Sequence, residues 1–149
     1  MTEIRRRLDA IVRGLKEREA LAQVRFVREY SEENAEVPVR GLMAVVGVKQ
    51  IARERGYLGR LLSSSLRGET YGVDAEICLY APAEENGSGL TEVVGELLAG
   101  LEAADEEHVI TSAGASSIEF DPDLNAIFRR VSLHLEFCVC EEEEDDVSV

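Results

Sequence analysis

Between Tyr71 and Leu101 the chain carries its two clearest periodic patterns back to back, and they constrain the fold more than any other feature. From Tyr71 to Ala81 the odd positions are Tyr71, Val73, Ala75, Ile77, Leu79 and Ala81, with Asp74 and Glu76 between them. That period of two belongs to a half-buried strand. After a break at 82–89 the apolar positions become Leu90, Val93, Val94, Leu97, Leu98 and Leu101, one stripe of a helix. The unit these patterns define is a strand followed by a helix laid back across the same sheet. Neither pattern contains a reactive constellation, so architecture and charge have to carry the functional reading.

The flanking segments extend the same architecture. Thr2 is placed to cap a first helix with Glu3 in its opening turn. Ile4, Leu8, Ile11, Val12 and Leu15 form its apolar stripe, and the helix is expected to end near Arg18. Its other face carries Arg5, Arg6, Arg13 and Lys16, read either as solvated cations or as an electrostatic contact with an acidic neighbour such as another copy of the chain. Alternation predicts a strand within Leu21 to Tyr30, and the polar stretch Ser31 to Glu36 reads as a turn. A longer strand follows over Val37 to Ile51, apolar on both faces from Leu42 to Val48 and therefore central or covered on both sides.

The segment 52–68 breaks both periodicities, mixing Arg53, Arg55, Arg60 and Arg67 with glycines and serines. A mobile arm is expected there, either a contact element or the passive end of a hairpin. Beyond the helix, 106–120 reads as a strand, Asp121-Pro122-Asp123 as a turn, and Ile127 to Val139 as a last strand antiparallel to the one before it. The acidic run opening 141–149 has no core to join and is expected to be a disordered tail. The result is one α+β domain over 1–140: a mainly antiparallel sheet of four to five strands with two helices packed on it.

Composition narrows the functional classes. A chain of 149 residues can bury an ordinary core without staples. No apolar run approaches the roughly 20 residues that span a bilayer, and the basic start lacks the apolar segment of a secretory signal, so a cytoplasmic product is expected. The 30 acidic residues against 16 basic ones give a net charge of -14, which argues against specific nucleic-acid binding and against anionic membranes. An acidic surface lining a passage would instead keep DNA from adhering. Cys78, Cys138 and Cys140 fall in strands and read as small buried hydrophobes; Cys138 and Cys140 share a strand face with His134, but no second cluster supports a metal site. Asp74 and Glu76 imitate paired catalytic carboxylates, yet alternation in a half-buried sheet explains them equally. The run Ser112 to Ser117 lacks the glycine and lysine spacing of a phosphate loop. No enzyme activity and no cofactor is expected.

The order of elements, closing on Phe120-Asp-Pro-Asp-Leu-Asn-Ala-Ile-Phe-Arg-Arg-Val-Ser-Leu-His-Leu, resembles the tail terminator or tail completion proteins of tailed bacteriophages and prophages. The resemblance spans Met1 to Cys140, and the acidic tail departs from it. It implies a virion structural protein at the head-proximal end of the tail, made in the host bacterial cytoplasm. The chain would form a homo-oligomer, commonly a hexameric ring, that caps the tail tube and later joins tail to head. Implied partners are the major tail tube protein and a head-completion or connector protein, with DNA passing through without specific binding. The residues assigned to interfaces are Arg5, Arg6, Arg13, Arg53, Arg55, Arg60, Arg67, Arg129 and Arg130; those assigned to the channel are Asp74 and Glu76. Two alternatives stay open: another tail-tube or head–tail connector component, and an acidic inhibitor that mimics DNA.

Overall fold

The computed structural model describes residues 2–28, 41–56, 66–83 and 89–142, with backbone alone for 54–56, 66–68 and 140–142. Helix α1 (Glu3–Lys16) opens on Thr2, whose Oγ1 accepts the Arg5 amide proton at 3.3 Å. Glu3 in the first turn and Arg13 and Lys16 in the last one match the helix dipole. Its stripe buries Leu8, Ile11 and Leu15. The chain then makes a short 3₁₀ turn (Glu19–Leu21) that buries Leu21, so the first strand is shorter than the alternation predicts: β1 covers Arg25–Arg28 only.

Three long strands form the body of the sheet: β2 (Met43–Gly56), β3 (Leu66–Pro82) and β6 (Ala126–Glu142). Helix α2 (Leu90–Ala104) follows β3, entered through Gly89 at φ 84°, a left-handed conformation that costs glycine little. It buries Leu90, Val94, Leu97 and Leu101 of the stripe expected from sequence, with Val93 and Leu98 half-buried against the core. Two short strands, β4 (Ile110–Ala115) and β5 (Glu119–Asp121), precede β6. Asp121 forms the turn between β5 and β6, its Oδ1 accepting the amide protons of Asp123 and Leu124 at 2.9 and 3.2 Å.

Among the described residues the sheet has six strands in the order β1-β2-β3-β6-β4, with β5 also paired to β6. All pairings are antiparallel except β1 with β2, which run parallel from Arg25 opposite Met43 to Arg28 opposite Val46. The α+β class and the mainly antiparallel sheet are as read from the sequence. The extra strand arises because the segment read as one strand over 106–120 is interrupted at 116–118.

Alternation divides the sheet into two faces. One carries Val73, Ala75, Ile77 and Leu79 of β3 and Val131, Leu133, Leu135 and Phe137 of β6, all buried with α1 and α2 in one core. Removing a leucine side chain of this kind from water stabilises the fold by about 1.5–3 kcal/mol. The two helices meet so closely that a Cβ added at Gly14 would lie 2.8 Å from the Cβ of Ala104. On the other face Val27, Met43 and Ala126 make a small second cluster with Val45, Tyr80 and Leu124. β2 is therefore covered on both sides near Met43, as its doubly apolar sequence implies.

The arm expected over 52–68 is strand at both ends. Pairing of β2 with β3 continues from Ala52 opposite Gly72 to Gly56 opposite Gly68, past a bulge between Val48 and Gln50. Of the expected arm, 57–65 fall outside the described residues, as does the expected turn at Ser31 to Glu36. The C-terminal boundary also moves, because β6 keeps pairing with β3 to Glu142, opposite Leu66. The tail beyond it, 143–149, lies outside the described residues.

Candidate functional site

The sheet face turned away from both helices collects the polar chemistry of the described residues. Even-numbered positions of β3 and β6 point there: Asp74, Glu76 and Cys78 on one strand, Arg130, Ser132, His134, Glu136 and Cys138 on the other. Register sets Asp74 opposite His134 and Glu76 opposite Ser132. Lys49 on β2 and Ser112 on β4 complete a shallow depression with Asp74, Glu76, Ser132 and His134.

Glu76 is the hub of this face. Its side chain is only 12% exposed, and its Oε1 lies 3.8 Å from both Lys49 Nζ and Arg130 Nη1. The same oxygen accepts a hydrogen bond from Cys78 Sγ at 3.1 Å. Burial, reinforced by that bond to an anion, pushes the Cys78 thiol up to about 12. Arg130 also donates from Nε to Glu119 Oε2 at 2.9 Å and lies 5.3 Å over the Phe128 ring. His134 bridges two acids, with Nδ1 at 2.7 Å from Asp74 Oδ1 and Nε2 at 3.2 Å from Glu136 Oε1. The Asp74 bond first, and the Glu136 bond second, raise its pKa above the usual 6.5 by favouring the imidazolium.

The two residues assigned to a channel are thus neighbours on one open face, Glu76 beside Lys49 and Arg130 and Asp74 bonded to His134. Of the nine arginines assigned to interfaces, those with described side chains lie on different parts of the surface. Arg5 pairs with Asp9 at 4.0 Å, while Arg6 donates to Glu3 at 2.7 Å and to Glu107 at 3.3 Å. Arg7, unremarked in the sequence, donates to Glu107 at 2.8 Å and lies 4.5 Å over Phe137, fastening α1 to the turn after α2. Arg13 is exposed beside the groove between α1 and the end of α2. Arg53 is ion-paired with Glu69 across β2 and β3. Arg55 and Arg67 lie in paired strand backbone, and Arg60 is outside the described residues.

Arg129 and Arg130 are adjacent and therefore point to opposite faces. Arg129 turns to the helix side, where it donates to the Ser116 carbonyl at 2.8 Å and to Thr91 Oγ1 at 3.3 Å, tying the break between β4 and β5 to the start of α2.

Cys78 and Cys138 are less buried than their strand positions suggest, both half-buried on the open face with Cys138 within 3.6 Å of Thr70 Oγ1, and the Cys140 side chain lies outside the described residues. Among the described residues no group of three or more His, Cys, Asp or Glu is arranged to hold a metal ion. Nor, among them, is any helix long and apolar enough to cross a membrane. Asp105, which no sequence pattern singles out, is a buried acid whose two oxygens accept the amide protons of Val109 and Ile110, both at 2.9 Å. It has no periodicity to reveal it, since its role is to cap the start of β4. No protein-family model and no curated protein matches this chain.

Proposed function

We propose that this chain is a structural subunit of a tailed-phage virion, which assembles as a ring on the growing end of the tail tube, stops its growth and joins the tail to the head. The observation that carries the reading is the open sheet face, where Asp74, Glu76, Glu119 and Glu136 face two permanent cations, Lys49 and Arg130, each held beside an acid. Such a face presents carboxylates without a basic patch to hold phosphates, the property that a wall along which DNA slides requires. Its role is geometric and needs neither catalyst nor cofactor.

The test is the mass distribution of the purified protein over a concentration series, alone and with tail-tube protein. A closed ring of about six copies, alone or on the tube, supports the reading. A monomer that ignores the tube refutes it. Tight, salt-sensitive capture of a nucleic-acid enzyme by that monomer would instead identify an acidic inhibitor.

A further inference from the structure

Among the described residues four large apolar side chains are exposed, and they fall in two pairs at opposite edges of the sheet. Val48 and Ile51 lie on β2 beyond Val46, the last residue paired with β1, and Ile51 is 52% exposed. Ile118 and Phe120 lie beside and within β5, outside β6 at the other edge, and Phe120 is 57% exposed. The signs of charge around the pairs are opposite. Lys49 and Arg53 flank the first pair, each also close to an acid on β3, whereas Glu119, Asp121 and Asp123 surround the second, Glu119 being paired with Arg130. At both edges the outward backbone groups face no further described strand, a surface that readily accepts another chain.

An isologous two-fold contact needs the same patch on both subunits. Two patches that differ in composition and sign, on opposite sides of one molecule, fit a heterologous contact that repeats from copy to copy. We propose that the β2 edge around Val48 and Ile51 of one copy docks on the β4–β5 edge around Ile118 and Phe120 of the next. The occupant is a second copy of this chain, because the complement of each edge in charge and apolarity is carried by the chain's own other edge. This rests on the reading as a ring-forming subunit and adds which surfaces meet.

The test uses Ile51→Asp and Phe120→Asp separately, with circular dichroism and thermal melts to establish that each variant folds. Native mass spectrometry follows the parent, each variant and their equimolar mixture, with and without tail-tube protein. The parent is expected to assemble. Each variant loses the larger species until its concentration is raised at least about a hundredfold, since a carboxylate placed in the contact must be desolvated. The mixture is expected to form a heterodimer and stop there, because each variant keeps one intact half of the contact. A variant that assembles like the parent overturns the edge assignment and leaves the ring reading standing. Folded variants that stay monomeric even when mixed overturn the head-to-tail pairing. A parent that is monomeric under every condition overturns both.

Discussion

Two helical glycines give a paired test of how tightly α1 and α2 are packed. Replacing glycine by alanine in a helix interior is intrinsically stabilising by about 0.8–1 kcal/mol. At Gly95 of α2 the added methyl meets nothing within 4 Å, so Gly95→Ala is expected to realise most of that gain. At Gly14 of α1 the same methyl lies 2.8 Å from the Cβ and 3.0 Å from the Cα of Ala104. Those atoms belong to a short side chain and a backbone, so the helices must move apart. Overpacking of this kind costs about 1–3 kcal/mol, which cancels or reverses the gain and leaves Gly14→Ala below Gly95→Ala by a similar amount. The assay is urea unfolding at fixed protein concentration. With a slope of about 2 kcal/mol/M, a difference of that size separates the midpoints by roughly 0.5–1.5 M. Adding Ala104→Gly to Gly14→Ala should recover only part of the loss, because the backbone at position 104 still crowds the new methyl. Equal stabilisation by Gly14→Ala and Gly95→Ala would refute the close approach of the two helices.

Four further outcomes are expected. Leu97→Ala or Leu135→Ala, at side chains with no exposure, should each cost about 2–5 kcal/mol in the same unfolding assay. Asp105→Ala should cost about 2–4 kcal/mol by stranding two amide protons, and Asp105→Asn less, because its carbonyl oxygen can still accept one of them. An NMR titration should place His134 above 6.5, and Asp74→Asn should bring it down. Because the folded-state pKa is the higher one, the stabilisation from His134 is fully present below about 6.5 and is lost as pH rises through the folded-state value. Native Cys78 should resist iodoacetamide at pH 8, where a free thiol reacts, and become reactive in urea; peptide mass spectrometry reads both states.

The parts of the fold legible in the sequence are those where one side of an element meets the core and the other meets water. Tyr71 to Ala81 and Leu90 to Leu101 declare themselves because burial alternates along them with the period of a strand or a helix. The parallel pairing of β1 with β2 has no such signal: Phe26 and Val27 would alternate identically beside a strand of either direction. Splitting of the 106–120 segment is hidden for a related reason. Ile110 packs on the core, while Ile118 and Phe120 look equally apolar in sequence yet lie exposed at an edge. The candidate face is partly legible, since alternation sets Asp74 and Glu76 together. Their partners are not: Lys49, Arg130 and His134 come from two other strands, and only the register of β2, β3 and β6 brings them within reach.

The segment at 52–68 shows what an absent pattern means. Ile51, Ala52 and Arg53 are all exposed, so neither face of β2 is selected there for apolarity, and no alternation can appear. The backbone still pairs, opposite Val73, Gly72 and Tyr71, because β3, whose Val73 is buried in the core, runs alongside as a ready template. Loss of period on β2 therefore marks the lateral edge of the helical cover, which still buries Val73 opposite Ile51, and not the end of the sheet. A strand that outruns its cover keeps its hydrogen bonds but leaves one side of its side chains to whatever meets it next. On β2 the side chains so exposed include Ile51, whose apolar surface gains stability when covered. Burial within one copy explains why β3 and β6 alternate. The apolar residues kept on the uncovered part of β2 are not explained by burial among the described residues, and the contact proposed between copies would cover them.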